Sequence, residues 1–219
     1  MKQSCLSGPV KIIFLLLFTF LLSSCLGVNV DIVLNQNGSG TIALEYQISK
    51  SLDSLGRLDG NERWNTIPVG RADFERTLDR LPEIKLLSFS SRENEKNLII
   101  AARMEFLSLQ GLFAFLDASG RRSSLSGNAA SGSIVLVLNE GTAVRGSPLD
   151  KLIADISETY SVSMSLTFPA EGSLNITDNH GNPVNLGNEF ITKGKKVSFS
   201  FPLYEVLSSS EGINIEFRW

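Results

Sequence analysis

Large apolar side chains recur at every second position over much of this chain, a period that only an extended strand can bury. The alternation is cleanest at Val162, Met164, Leu166 and Phe168, with Ser161, Ser163, Ser165 and Thr167 between them. Successive side chains of a strand point to opposite faces, so this spacing puts every large residue on one side and every hydroxyl on the other. The pattern returns at Val28, Val30, Ile32 and Leu34, at Ile42, Leu44, Tyr46 and Ile48, and at Leu98, Ile100, Ala102, Met104 and Phe106. Further runs lie at 84–90, 134–138, 174–176, 197–201 and 213–219. About nine strands result. Their single polar face favours antiparallel over buried parallel sheet. The last run alternates up to Trp219, which predicts a C-terminus pinned in a sheet.

Three segments have helical spacing instead. Phe74, Leu78 and Leu81 line one face of 72–81, which Pro82 ends. Leu109, Leu112, Phe113 and Leu116 follow Ser108, a candidate N-cap. The third segment opens on Ser147-Pro148-Leu149-Asp150, a capping box with proline at the first helical position, and continues through Leu152, Ile153 and Ile156. Residues 51–58 are compatible with a short extra turn. The expected fold class is therefore α+β: a mostly antiparallel β-sheet of about nine strands with three short helices. Residues 120–132, rich in Gly, Ser, Ala and Asn, read as an exposed loop and a candidate seam within the domain. A helix followed by two strands at 72–106, and again at 147–176, hints at a duplicated α-β-β unit, although the residues do not match as a repeat.

The segment ahead of the first strand has another character. Lys2 and Lys11 precede a strongly apolar stretch at 12–22, which gives way to Ser23, Ser24 and Cys25. A positive n-region, an apolar h-region and small residues before a processing point make a signal peptide. The stretch is short of the ~20 residues that span a bilayer, and extending it through Val28 makes it only marginal. Leu22-Ser23-Ser24-Cys25 resembles the lipobox of bacterial lipoproteins. The resemblance implies a diacylglyceryl group on Cys25 Sγ, with palmitate among the acyl chains, and cleavage between Ser24 and Cys25. Residues 1–24 are then the signal peptide, and 25–219 one extracytoplasmic α+β domain. Its place is the cell membrane or the outer membrane, on the periplasmic or surface side. The competing readings are an ordinary secretory signal with a coincidental cysteine and an uncleaved membrane anchor.

What remains after processing limits the chemistry. Cys5 leaves with the signal and Cys25 carries lipid, so no thiol is left for a disulfide, a zinc site or a nucleophile. Taking Lys2 and Lys11 from the 20 basic residues leaves 18 against 23 acidic ones, a net charge of −5 with the amine acylated. That balance suits neither a nucleic-acid partner nor electrostatic docking on anionic lipid. His180 is the only histidine, which rules out multi-histidine metal sites. It lies in Asp178-Asn179-His180-Gly181-Asn182, a string of turn formers. Asn35-Gln36-Asn37-Gly38-Ser39-Gly40 spaces its oxygens like a calcium loop. Yet Tyr46 stands at the twelfth position, where a bidentate Glu is needed, and a hairpin turn accounts for the motif. No catalytic residues, cofactor or metal are expected.

Leu109, Leu112, Phe113 and Leu116 belong to a helix that is apolar nearly all round. It is either a buried core helix or the lining of an apolar ligand surface. The leading expectation is a non-enzymatic module that binds a lipid, a glycan or a partner protein of the envelope. The alternative is a cell-envelope hydrolase with a site near Asp178 and His180.

Three features resemble a family of bacterial lipoproteins that includes the LppM-like envelope proteins. Cys25 leads directly into the alternating run at 28–34. Asn35-x-x-Gly38-Ser39-Gly40 then precedes a second run. Phe168-Pro169 closes a strand before Val197-Ser198-Phe199-Ser200-Phe201-Pro202. The resemblance implies an envelope location, and such proteins have no associated catalytic residues to carry over.

Overall fold

In the computed structural model, which describes residues 26–50, 70–117, 123–141, 160–184 and 190–219, the alternating segments are strands. In chain order they are β1 (Leu26–Leu34), β2 (Gly40–Ser49), β3 (Ile84–Glu93), β4 (Asn97–Phe106), β5 (Ser124–Gly127), β6 (Gly132–Asn139), β7 (Tyr160–Thr167), β8 (Ser173–Thr177), β9 (Phe190–Lys193), β10 (Lys196–Pro202) and β11 (Ile213–Arg218). Helix α1 (Arg71–Leu78) precedes β3, α2 (Leu109–Leu116) follows β4, and α3 (Leu203–Leu207) follows β10.

The mostly antiparallel nine-stranded sheet is corrected in two respects. The strands divide into a seven-stranded sheet, ordered β3-β4-β2-β1-β7-β10-β9, and a four-stranded sheet, ordered β5-β6-β11-β8. At the centre of the larger one β1 runs parallel to β7, from Leu26↔Tyr160 to Val33↔Thr167. Alternation reports which face is buried and carries no sign of strand direction. The four-residue strands β5 and β9 and the five-residue α3 are too short for a period to register. β5 lies within the 120–132 segment expected to be loop. It forms because Leu125 packs against the core and Ser126 Oγ meets Ser133 Oγ of β6 at 2.9 Å. The hinted duplication fails, since β3 pairs with β4 whereas β7 and β8 belong to different sheets. The helix expected at 147–156 and the turn at 51–58 lie outside the described residues.

One core serves both sheets. From the larger sheet come Ile32, Ile42, Ile100, Met104, Leu166 and Phe201, each almost fully buried. From the smaller come Ile134, Ile213, Ile215 and Phe217. Aromatic rings bridge the two: Phe217 stands 6.2 Å from Phe199 and 6.5 Å from Phe168, and Trp219 stacks on Phe168 at 5.0 Å. The Trp219 indole N–H donates to Asn128 O at 3.1 Å, and its backbone pairs with Gly132. The last residues are thus held in the sheet, as their alternation predicts.

Local chemistry sets the helix boundaries. Ser108 does cap α2, its Oγ accepting from the Gly111 N–H at 3.0 Å while its hydroxyl donates to the Glu83 carboxylate. α1 buries Phe74 and Leu78, with the Phe74 ring 5.6 Å from Phe89 of β3. Burial, and then the charge of Asp73, push the Tyr46 phenol above its ordinary range.

The β1–β2 hairpin confirms the turn reading of residues 35–40. Asn35 N–H donates to Ser39 O at 2.8 Å, Asn37 Oδ1 accepts from Ser39 N–H at 3.1 Å, and Gly38 sits at φ +86. Gly40 is needed for a different reason: a Cβ there would lie 1.9 Å from Val33 O and 2.3 Å from Phe106 Cζ. Backbone and a buried ring cannot both yield, so Gly40→Ala is expected to cost about 1–3 kcal/mol. An unchanged urea midpoint for Gly40→Ala, beside an unchanged Ser39→Ala control, would contradict this register.

Candidate functional site

The residues between the core positions write the other face of the seven-stranded sheet, and the registers align them in rows that cross the strands. One row reads Ser88, Arg103, Ala43, Asp31, Ser165, Ser198 and Ile191 from β3 to β9. The next row toward the start of β1 reads Ser90, Ala101, Glu45, Asn29, Ser163 and Ser200. Serine and alanine end one or two atoms beyond Cα, so the surface is low wherever they stand. Two shallow depressions result, of about 340 and 280 Å³, and Asn29 and Asp31 line both. The row on the far side carries Lys85, Glu105, Lys196 and Lys193, whose long side chains border the low strip. With strands ~4.8 Å apart, a strip crossing seven of them is roughly 29 Å long.

Charges are few and placed apart. Asp31, on the central strand, accepts from the Ser165 hydroxyl, and Lys196 Nζ lies 3.7 Å from the same carboxylate oxygen. Glu45 Oε2 lies 3.7 Å from the Arg92 guanidinium. Both ion pairs are half exposed, a setting in which such pairs contribute little to stability. Arg103 is exposed and has no ion-pair partner among the described residues. Its five donors stand beside Ala43 and Ser88, with the carboxylates of Glu45 and Glu105 in the adjacent rows. The strip therefore offers hydroxyls and the Asn29 amide along its floor and the Arg103 guanidinium as a bidentate donor for a carboxylate.

No protein-family model and no curated protein matches the sequence. The fold is weakly similar to the NMR structure of the folded domain of LppM from Mycobacterium tuberculosis. That likeness has a TM-score of 0.41 and 14% identity, and covers 89% of this chain and 90% of that one.

Of the residues singled out in the sequence, Leu22, Ser23, Ser24 and Cys25 lie outside the described residues. Leu109 and Leu112 are buried, and Phe113 and Leu116 are half-buried against the core. Neither depression on the sheet reaches α2. Asp178 and His180 share a turn, but not through the ring. Asp178 Oδ1 accepts from the backbone N–H of His180 at 2.7 Å and of Asn182 at 2.8 Å, and Oδ2 accepts from Asn182 Nδ2 at 2.8 Å. Asn214 of β11 donates to Asp178 O at 3.1 Å, which ties the turn to the smaller sheet. The His180 side chain is exposed.

These donors, the Asn182 amide first, hold the Asp178 carboxyl below its ordinary range. A folded-state pKa below the unfolded one stabilises the protein above the ordinary carboxylate range, and the benefit is lost as pH falls through the folded value. Asp178→Asn is expected to lower stability at pH 7, with the gap to the native chain narrowing below about pH 4. Urea unfolding at neutral and acid pH measures this, and a gap of constant size would contradict it.

Sequence reasoning passed over the strip. Its one legible signal was the Ser or Thr at each intervening position of β7, where a merely solvated strand face more often carries Lys or Glu.

Proposed function

We propose that this chain is a lipoprotein anchored through acyl chains on Cys25 to a membrane of the cell envelope, and that it acts as a non-enzymatic binding module. The low strip on the open face of the seven-stranded sheet is the surface that takes its partner. Supporting the anchor are the n-region, the apolar stretch and Leu22-Ser23-Ser24-Cys25. Among the described residues no helix is long and apolar enough to cross a membrane.

The observation that carries the binding role is the run of short polar side chains across the sheet, bordered by long charged ones, with Arg103 open beside it. Such a floor suits an extended polar segment better than an acyl chain, which needs apolar walls. Among the described residues it also lacks the exposed aromatic rings on which sugars stack. A polar stretch of an envelope protein fits best.

A photo-reactive residue at Ser90 or Ser200, both exposed on the strip, should form a discrete adduct in intact cells, and one at Ser126 on the smaller sheet should not. Arg103→Glu should cut the adduct yield about tenfold, in line with the loss of one charged hydrogen-bond pair. Equal yields at Ser126, or yields untouched by Arg103→Glu, would contradict the assignment.

A further inference from the structure

β1 is hydrogen-bonded from its first described residue: Leu26 already pairs with Tyr160 of β7. Cys25 directly precedes this pairing, a Cα–Cα step of about 3.8 Å. β1 is also the middle strand of seven, with β2, β4 and β3 on one side and β7, β10 and β9 on the other. We infer that one end of the seven-stranded sheet rests on the bilayer surface and that its strands rise from it. This rests on the lipid-anchor reading of Cys25.

The registers say which residues form that end. Tyr160 is level with Leu26. Beyond Tyr46, the last partner of β1 in β2, the chain runs on through Ile48, which pairs with Leu98, and Leu98 pairs with Glu93. Among the described residues this end also carries the exposed turn Asn94-Glu95-Lys96, Lys50, whose ammonium pairs with Glu93 at 2.9 Å, and Pro202, level with Ser161, from which α3 continues. The β2–β4–β3 part of this end is polar and of mixed charge, which suits lipid headgroups, and α3 adds the exposed Leu207 beside it. A tether at one edge of a sheet would let the domain lie flat. A tether at the centre, without slack, sets the whole end down.

Height then follows from strand geometry. Asn29 and Asp31 stand three and five steps along β1 from Leu26, roughly 10 and 17 Å at ~3.3 Å per residue. The rows of the strip cross the strands, so they run along the membrane at that height. The partner is therefore one that presents its segment within about 2 nm of the bilayer. At the other end, ~26 Å from Leu26, β1 finishes at Leu34, and Gln36 and Lys195 occupy exposed turns beyond β1 and before β10.

With Cys25 acylated, an introduced cysteine is the sole thiol of the mature chain. The lipidated protein, reconstituted in phosphatidylethanolamine–phosphatidylglycerol vesicles, is labelled with bimane at K96C, S90C or Q36C, with E95C and K195C as second choices for the near and far ends. Nitroxide lipids labelled at the headgroup should quench position 96 most, 90 less and 36 not at all. Protein that floats with the vesicles but is quenched equally at 96 and 36 would overturn the orientation and leave the anchor standing. Protein that does not float with them would overturn both.

Discussion

A Cys25→Ala chain is expected to incorporate no radiolabelled palmitate and to accumulate as a precursor that retains residues 1–24. Acyl transfer makes a thioether, and alanine has no sulfur to accept the glyceryl carbon. The peptidase that follows acts on the lipid-modified substrate, so cleavage before residue 25 fails as well. Anchoring disappears with the modification, because each buried methylene contributes ~0.8 kcal/mol and two chains supply many. Electrostatics cannot replace it, since a chain cleaved before Cys25 would have 18 basic residues against 23 acidic ones once Lys2 and Lys11 are gone from the 20. Palmitate labelling and an immunoblot of precursor and mature forms measure both effects. Normal labelling and maturation of the variant would defeat the lipoprotein reading.

The second large effect lies at the junction of the sheets. Phe217 of β11 is fully buried and packs between Phe199 of β10 and Phe168. Phe217→Ala removes a ring from the place where the two sheets share their core. Both neighbours are held by the larger sheet and Phe217 by the smaller, so filling the void would require the two sheets to shift toward each other. The expected cost is about 3–5 kcal/mol, which for a chain of this length lowers Tm by on the order of 10 °C. Thermal unfolding followed by circular dichroism checks this. A drop of the size of a surface substitution would mean that the sheets are not joined there.

Much of the sheet was legible because burial writes period two into the sequence. Val162, Met164 and Leu166 announce both a strand and its inner face, and each of the nine expected strands forms. Partnership was not legible. Ser165 and Asp31 are 134 positions apart, and nothing local to either says that β1 and β7 run side by side in parallel. The strip shares that limit, because its residues alternate with core residues and read singly as solvated surface. Only the register brings Asp31, Ser165 and Arg103 into one row. Helix α2 was read correctly at its cap because Ser108 acts on its own turn, a contact that sequence neighbours settle. The capping box at 147–150 and the lipobox-like residues at 22–25 fall outside the described residues.

The proposed anchor, Cys25, directly precedes β1 in the sequence, and the most direct test lies there. Mass spectrometry of the N-terminal peptide, taken from the native chain extracted out of membranes, should find Cys25 as the first residue. It should carry the mass of a diacylglyceryl thioether. A peptide that begins upstream of Cys25, or a Cys25 without added mass, would contradict the account.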